Sequence, residues 1–149
     1  MNAEISARLD AALATAVAQQ GRADSKAATL LTLDSILVAG FSAMAGQMPT
    51  AAWPVAAAAV AALIVSATLA ILVIRPNLGG TDRGSFIHWS LIDTDEVLVE
   101  SLREDHRPAH LRVMARITLK KMQLVRRSGL ASLLALGLLA VAALVTVLV

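Results

Sequence analysis

The chain has no cysteine and no tyrosine, and only two tryptophans and two phenylalanines. Without cysteine, neither a disulfide framework nor a Cys-ligated zinc or iron–sulfur site can be built. Charge is sparse too: Asp, Glu, Lys and Arg make up 16% of residues and balance to a net +2. So small an excess excludes a polybasic nucleic-acid binder. No alternating ten-residue pattern occurs, which excludes a membrane β-barrel. What remains is a chain of 149 residues, enough for one domain, that is 57% hydrophobic with mean hydropathy +0.70. That composition is of the membrane class, and the dominance of alanine and leucine makes the apolar content helical.

Three runs are long enough to cross a bilayer. The first, residues 27–45, carries a single charge, Asp34, and is preceded by the charged pair Asp24 and Lys26. In a helix its nineteen residues rise about 28 Å, close to the hydrocarbon thickness of a membrane. The second, 55–74, has no charge and ends at Arg75-Pro76; the third, 129–149, has none either. Trp53-Pro54 suits a membrane interface followed by a first helical turn. Upstream, Ile5, Leu9, Leu13 and Val17 recur every four residues among Glu4, Arg8 and Asp10, an amphipathic pattern expected to run unbroken into the first span. Ala43-Met44-Ala45 resembles a signal-peptidase site, but the leader is long, balanced in charge and followed by an acid within its apolar run.

The linker 46–54 holds no Lys or Arg, whereas 75–128 holds ten. The positive-inside rule therefore predicts a cytoplasmic N-terminus, an outer loop at 46–54, a cytoplasmic segment at 75–128 and a C-terminus outside. The expected fold is an all-α membrane protein of three transmembrane helices. A small cytoplasmic helical bundle is expected from residues 1–26, as an extension of the first span, and from the 75–128 segment, the whole being one domain. Within that segment Asp93 and Glu96 read as a capping-box start to a helix and His106-Arg107-Pro108 as its break; a new helix is expected to begin near Pro108, with Leu111, Met114, Thr118, Met122 and Val125 on one face. Three thin spans cannot enclose a pore alone, so a homo-oligomer is expected in the lipid bilayer.

Ionisable groups inside a membrane are functional candidates by default, which singles out Asp34. On a helical wheel it falls beside Leu30, Leu37, Val38 and Phe41, opposite a hydroxyl stripe of Ser25, Thr29, Thr32, Ser35 and Ser42. Asp34 is read either as facing a subunit contact or pore, or as protonated or hydrogen-bonded inside the bundle and fixing packing only; the stripe is read as bonding neighbouring helices. The glycine-rich 79–85 loop lacks the Gly-Lys-Ser/Thr ending of a phosphate loop, although its amides beside Arg83 can hold one phosphate. Trp89, with Phe86 and His88, serves either to stack a base or to anchor at the interface. His106 and His110 have metal spacing, but Pro108 between them spoils the continuous helix it needs, and no third ligand is in view. No nucleophile–base–orienter set is recognisable, so no enzyme is expected.

Three stretches together resemble a family. Ala23-Asp24-Ser25-Lys26-Ala27 is similar to the Asp-x-Lys-Ala start of the small transmembrane effectors of Pycsar antiphage systems. Ile74-Arg75-Pro76, with glycines and Phe86 beyond, resembles that family's Arg-Pro exit, and Ala115-Arg116-Ile117 with Lys121-Met122 resembles its Ala-x-Ile-x-x-x-Lys-Tyr segment, Met122 replacing the usual aromatic. The resemblance implies a bacterial inner-membrane protein paired with a nucleotide (pyrimidine) cyclase. It implies activation by a cyclic nucleotide, cyclic UMP or cyclic CMP, and membrane damage that aborts phage infection. No resident cofactor and no nucleic-acid partner are implied. Asp24, Lys26, Arg75, Arg83, Trp89 and Lys121 are the residues expected to hold the nucleotide. The alternative is a holin-like or accessory membrane subunit with no ligand.

Overall fold

In the computed structural model, residues 3–75, 86–103 and 105–148 are described. They form α1 (Ala3–Ala45), a 3-10 turn (Thr50–Ala52), α2 (Trp53–Ile74), α3 (Phe86–Ser90), α4 (Asp95–Arg103) and α5 (Arg107–Leu148), with no strand among them. The protein is an all-α membrane protein: α1, the Thr50–Ile74 segment and α5 are each long and apolar enough to cross a bilayer. At 1.5 Å per residue the 43 residues of α1 and the 42 of α5 each extend over about 60 Å, roughly twice a hydrocarbon core, whereas the 22 of α2 match it.

The helix ends follow from local chemistry. Gly21 and Gly40 lie inside α1 without stopping it, since a single glycine costs only about 1 kcal/mol against alanine. Pro49 sits extended at the start of the 3-10 turn, with its carbonyl accepting from the Ala52 amide at 2.9 Å, and Pro54 occupies the first turn of α2. Arg75 closes α2 at φ −55°, ψ 126°, the extended geometry that the following proline imposes on its predecessor. The Leu98 amide donates to the Thr94 carbonyl, so α4 is capped at Thr94 and not at Asp93. The expected capping box therefore does not form, because the residue three beyond Thr94 is Val97; Asp95 and Glu96 instead favour the helix as acids in its first turn. The break and the new helix expected near Pro108 are both present, α4 ending at Arg103 and α5 starting at Arg107 beside Pro108. The proline lies in the first turn of α5, where its missing amide proton costs nothing, and the His110 amide donates to His106 across it at 2.9 Å.

The chain divides into two units, Met1–Arg22 with Pro76–Lys121, and Ala23–Arg75 with Met122–Val149. In the first, Leu9, Leu13, Ala16, Leu111, Met114, Ile117 and Thr118 are half-buried. Ile5 and Val17, expected on the covered face of α1, are 50% and 56% exposed. A strict spacing of four overshoots the helical turn by about 40° each time, so the ends of such a series rotate off the packed face. The first turn of α5 is tied to α1 through Arg107, whose Nη1 donates to Asp10 Oδ1 at 2.8 Å and to Ser6 Oγ at 2.9 Å. The same guanidinium grips Asp105 through Nε and Nη2. That hydrogen bond holds the Asp105 carboxyl below the usual carboxylate range, and the two acids raise Arg107 further.

The second unit is a three-helix arrangement of the membrane-crossing stretches. Among the described residues its buried positions are mostly small: Ala23, Ala27, Ala52, Ala56, Ala59, Ala70, Ala135, Ala142, Ser66, Ser128 and Ser132, with Leu63, Val73 and Asp34 the larger ones. Large aliphatic side chains such as Ile64, Ile71, Leu130, Leu133 and Leu144 point outward. Lipid tails are as apolar as leucine, so burying leucine gains little there, and close approach through small residues gives the contact. Ala23 and Ala27 of α1 form one cluster with Ala70 and Val73 of α2, and Met122 and Val125 of α5 pack against it. Asp34, further along α1, meets Ser132, further along α5, and Ser132 in turn meets Ser66, earlier on α2. α1 and α5 thus run parallel and α2 antiparallel between their contacts.

Candidate functional site

The parallel–antiparallel order puts the start of the α1 span, the end of α2 and Met122 of α5 at one end of the three-helix unit. Ala23 and Ala27 flank Asp24 and Lys26 in sequence, and Val73 lies two residues before Arg75. Asp24 is half-buried, while Lys26 and Arg75 are exposed. An acid and two cations are therefore carried at the same end of one packed unit, around the alanine cluster. Such a set can hold an anion by charge-assisted hydrogen bonds while the acid accepts from a donor on the same ligand. Of the other residues expected to hold a nucleotide, half-buried Lys121 and exposed Trp89 belong to the unit built on 1–22 and 76–121. Arg83 and the 79–85 loop lie outside the described residues.

Deeper in the same unit is a polar relay across three helices. Asp34 is ten residues, about 15 Å of helix, beyond Asp24 and only 4% exposed. Ser132 donates to Asp34 Oδ1 at 2.7 Å, and Ser132 and Ser66 hydroxyls are 2.7 Å apart. Ser128 donates to the Ser66 carbonyl at 3.0 Å. Each hydroxyl has one proton. The Ser66 hydroxyl also donates to the Ser128 carbonyl at 3.1 Å, and in its contact with Ser132 either hydroxyl can be the donor. The second carboxylate oxygen, Oδ2, has no hydrogen-bond partner among the described residues.

Asp34 thus shares the inward face of α1 with half-buried Leu30, Leu37 and Phe41, as the wheel arrangement predicts, whereas Val38, placed with them, turns outward and is 48% exposed. The hydroxyl stripe opposite does not bond neighbouring helices. Thr29, Thr32, Ser35 and Ser42 each donate to the carbonyl four residues back in α1. Facing an apolar solvent, a hydroxyl takes the nearest acceptor, which is its own helix. The three serines that do cross between helices, Ser66, Ser128 and Ser132, were not singled out by sequence reasoning. The available signal was weak: Ser128 and Ser132 are one helical turn apart on one face, and Ser66 and Thr68 are the two hydroxyls of the second span. Among the described residues, no group of three His, Asp or Glu side chains is placed to hold a metal.

No curated protein and no solved structure gives a significant match. The sequence model of a family described as a Pycsar effector protein domain matches residues 8–149, nearly the whole chain and all three membrane-crossing helices. With that match over a fold of three membrane-crossing helices, the chain belongs to the Pycsar effector family of antiphage defence.

Proposed function

We propose that this protein is a bacterial inner-membrane effector activated by a cyclic pyrimidine nucleotide, cyclic UMP or cyclic CMP, made by a partner pyrimidine cyclase. On activation it assembles as a homo-oligomer and breaches the membrane, ending the infected cell before phage spreads. The N-terminus lies in the cytoplasm and the C-terminus outside, because the basic residues are concentrated in 75–128. The observation that supports a ligand switch is the packing of Ala23 and Ala27 on Ala70 and Val73, which carries Asp24, Lys26 and Arg75 at one end of the three-helix unit. A cyclic nucleotide is a monoanion with ribose and base donors. Lys26 and Arg75 hold its phosphate, and Asp24 accepts from ribose or base. Trp89, Lys121 and Arg83 are proposed as further contacts from sequence order alone. A ligand that draws the two cations together favours the state in which α1 and α2 are closest at this end, and shifts the equilibrium by that difference in affinity.

The test is calorimetric titration of the purified protein with cyclic UMP and cyclic CMP, alongside dye release from liposomes. The wild type is expected to bind one of them and to release dye only with it. Lys26→Ala and Arg75→Ala each remove a charge-assisted contact and are expected to weaken binding about tenfold or more, with loss of release. Unchanged affinity and release in both variants would sink the proposed site. Absence of nucleotide binding and of dye release in the wild type favours the accessory-subunit reading.

A further inference from the structure

All eleven acids of the chain lie before Arg107, so α5 carries seven Lys and Arg residues and no Asp or Glu. Arg107 is taken up by Asp10 and Asp105, and Lys121 is half-buried. The other five, Arg112, Arg116, Lys120, Arg126 and Arg127, are exposed and have no hydrogen-bond or ion-pair partner among the described residues. At 3.6 residues per turn these five fall within one arc of about 120°. Exposed Leu119 and Gln123 share that arc, whereas Leu111, Met114, Met122 and Val125 are half-buried on the other side. Depth separates the five. The uncharged run 129–149 starts about 3 Å of helix beyond Arg127 and about 4.5 Å beyond Arg126. The headgroup layer on each side of a bilayer is about 5–7 Å thick, so both arginines stand within it. Arg116 and Arg112 come about 20 and 25 Å before the run, outside that layer by more than the Debye length of about 8 Å at physiological salt.

We propose that Arg126 and Arg127 form a binding site for the headgroups of acidic phospholipids, at the point where α5 enters the bilayer. Charge complementarity identifies the occupant: two cations with no acid of their own meet the phosphates of a negatively charged surface. A guanidinium matches phosphate oxygens with two parallel hydrogen bonds. The inward side of this turn is already occupied, because Met122 and Val125 pack against the alanine cluster and Ser128 is buried against Ser66. The arginines therefore face away from the other two helices, toward lipid. Lys26 and Arg75, at the same end of the unit, are assigned to the nucleotide, and the headgroup site needs neither. The inference rests on the membrane-crossing helices alone and not on nucleotide activation. A cation at such a surface strengthens association on the order of fivefold, and the contact fixes the depth at which α5 enters the membrane.

The experiment reconstitutes the full chain, without nucleotide, in liposomes of phosphatidylcholine and phosphatidylglycerol with the same composition in both leaflets. Spin-labelled forms of the two lipids report, by electron paramagnetic resonance, which one is held at the protein surface. The wild type is expected to hold phosphatidylglycerol about threefold over phosphatidylcholine at low ionic strength, a preference that fades in high salt. Arg126→Gln with Arg127→Gln is expected to lose about half of that preference or more, with an unchanged melting temperature because both side chains are exposed. Arg126→Lys with Arg127→Lys keeps both charges and is expected to retain most of it. Arg112→Gln with Arg116→Gln removes the same net charge outside the headgroup layer and is expected to leave the preference as it was. A wild type without preference overturns the site, as does an equal loss in the Arg112 and Arg116 pair, which would assign the effect to net charge. Arg126→Gln with Arg127→Gln that keeps the full lipid preference but binds cyclic UMP or cyclic CMP more weakly overturns it as well, and moves both arginines to the nucleotide site.

Discussion

The two units of this protein use opposite chemistry to hold helices together. In the unit built on residues 1–22 and 76–121, one polar tie among the described residues is a guanidinium between carboxylates: Arg107 with Asp10 and Asp105. Arg107 and Asp105 are each about one-third exposed and Asp10 is 62% exposed, so water and salt share every one of these contacts. In the unit built on 23–75 and 122–149, the tie is a buried row of serine hydroxyls ending on one acid, set among alanines. Exposed charge pairs contribute little because water competes for both partners. Buried hydroxyls in an apolar setting have nothing else to bond, yet the unfolded helix offers them its own carbonyls, so their net worth is modest as well. Each unit therefore depends chiefly on shape. One uses half-buried Leu and Met faces, and the other uses side chains small enough to let backbones meet.

That contrast can be broken most severely at the small residues. Ala70→Leu adds bulk where Ala70, Ala27 and Ala23 have no exposure at all, and is expected to cost about 1–3 kcal/mol or more and to remove most folded protein from detergent extracts. A variant that extracts and melts like wild type would show that the alanine contact is not close-packed. Next comes Ser66→Ala, which removes the link between Ser132 and Ser128. An expected loss of about 1 kcal/mol in thermal unfolding, insensitive to added salt, checks it.

Smaller again is the effect of Arg107→Ala. A modest fall in melting temperature is expected at low ionic strength, disappearing near 1 M salt as the Debye length shrinks. The same pair sets a pH dependence. Asp105 has its pKa lowered in the folded state, so its stabilisation is present above the ordinary carboxylate value of about 4 and is lost as pH falls through the lowered value. Wild type is expected to lose stability on acidification below pH 4 by a step that Arg107→Ala lacks, measured by melting curves across pH. Least of all is Leu133→Ala on the outward face of α5, 65% exposed, expected within about 0.5 kcal/mol of wild type. A larger loss there would mean that the face is covered by another copy of the chain.

Much of the architecture was readable from charge and length alone. Runs without charge marked the three spans, Arg75-Pro76 marked the end of the second, and the absence of proline let α1 continue from the N-terminal segment into the first span. Cap details were less legible. Asp93 and Thr94 are both competent N-caps one residue apart, and backbone geometry chose Thr94. The start of α5 beside Pro108 was legible, because a proline fits a first helical turn and not a helix interior.

Periodicity shows which side chains share a face of one helix, because 3.6 residues per turn is a local property. It correctly set Asp34 on the side of Leu30, Leu37 and Phe41, but not of Val38, which is exposed. It carries no information about which hydroxyl on another helix, 98 residues further along the chain, stands at the same depth. That depends on the vertical register of three helices, which Ala23, Ala27, Ala70 and Val73 set by how closely they let backbones approach. The sequence alone thus determined where the chain crosses a membrane and that one acid lies within it. Only the tertiary structure decided that this acid is held by Ser132 and a serine row, while an otherwise similar stripe of Thr29, Thr32, Ser35 and Ser42 bonds back to its own helix. A hydroxyl bonds whichever acceptor packing leaves within reach.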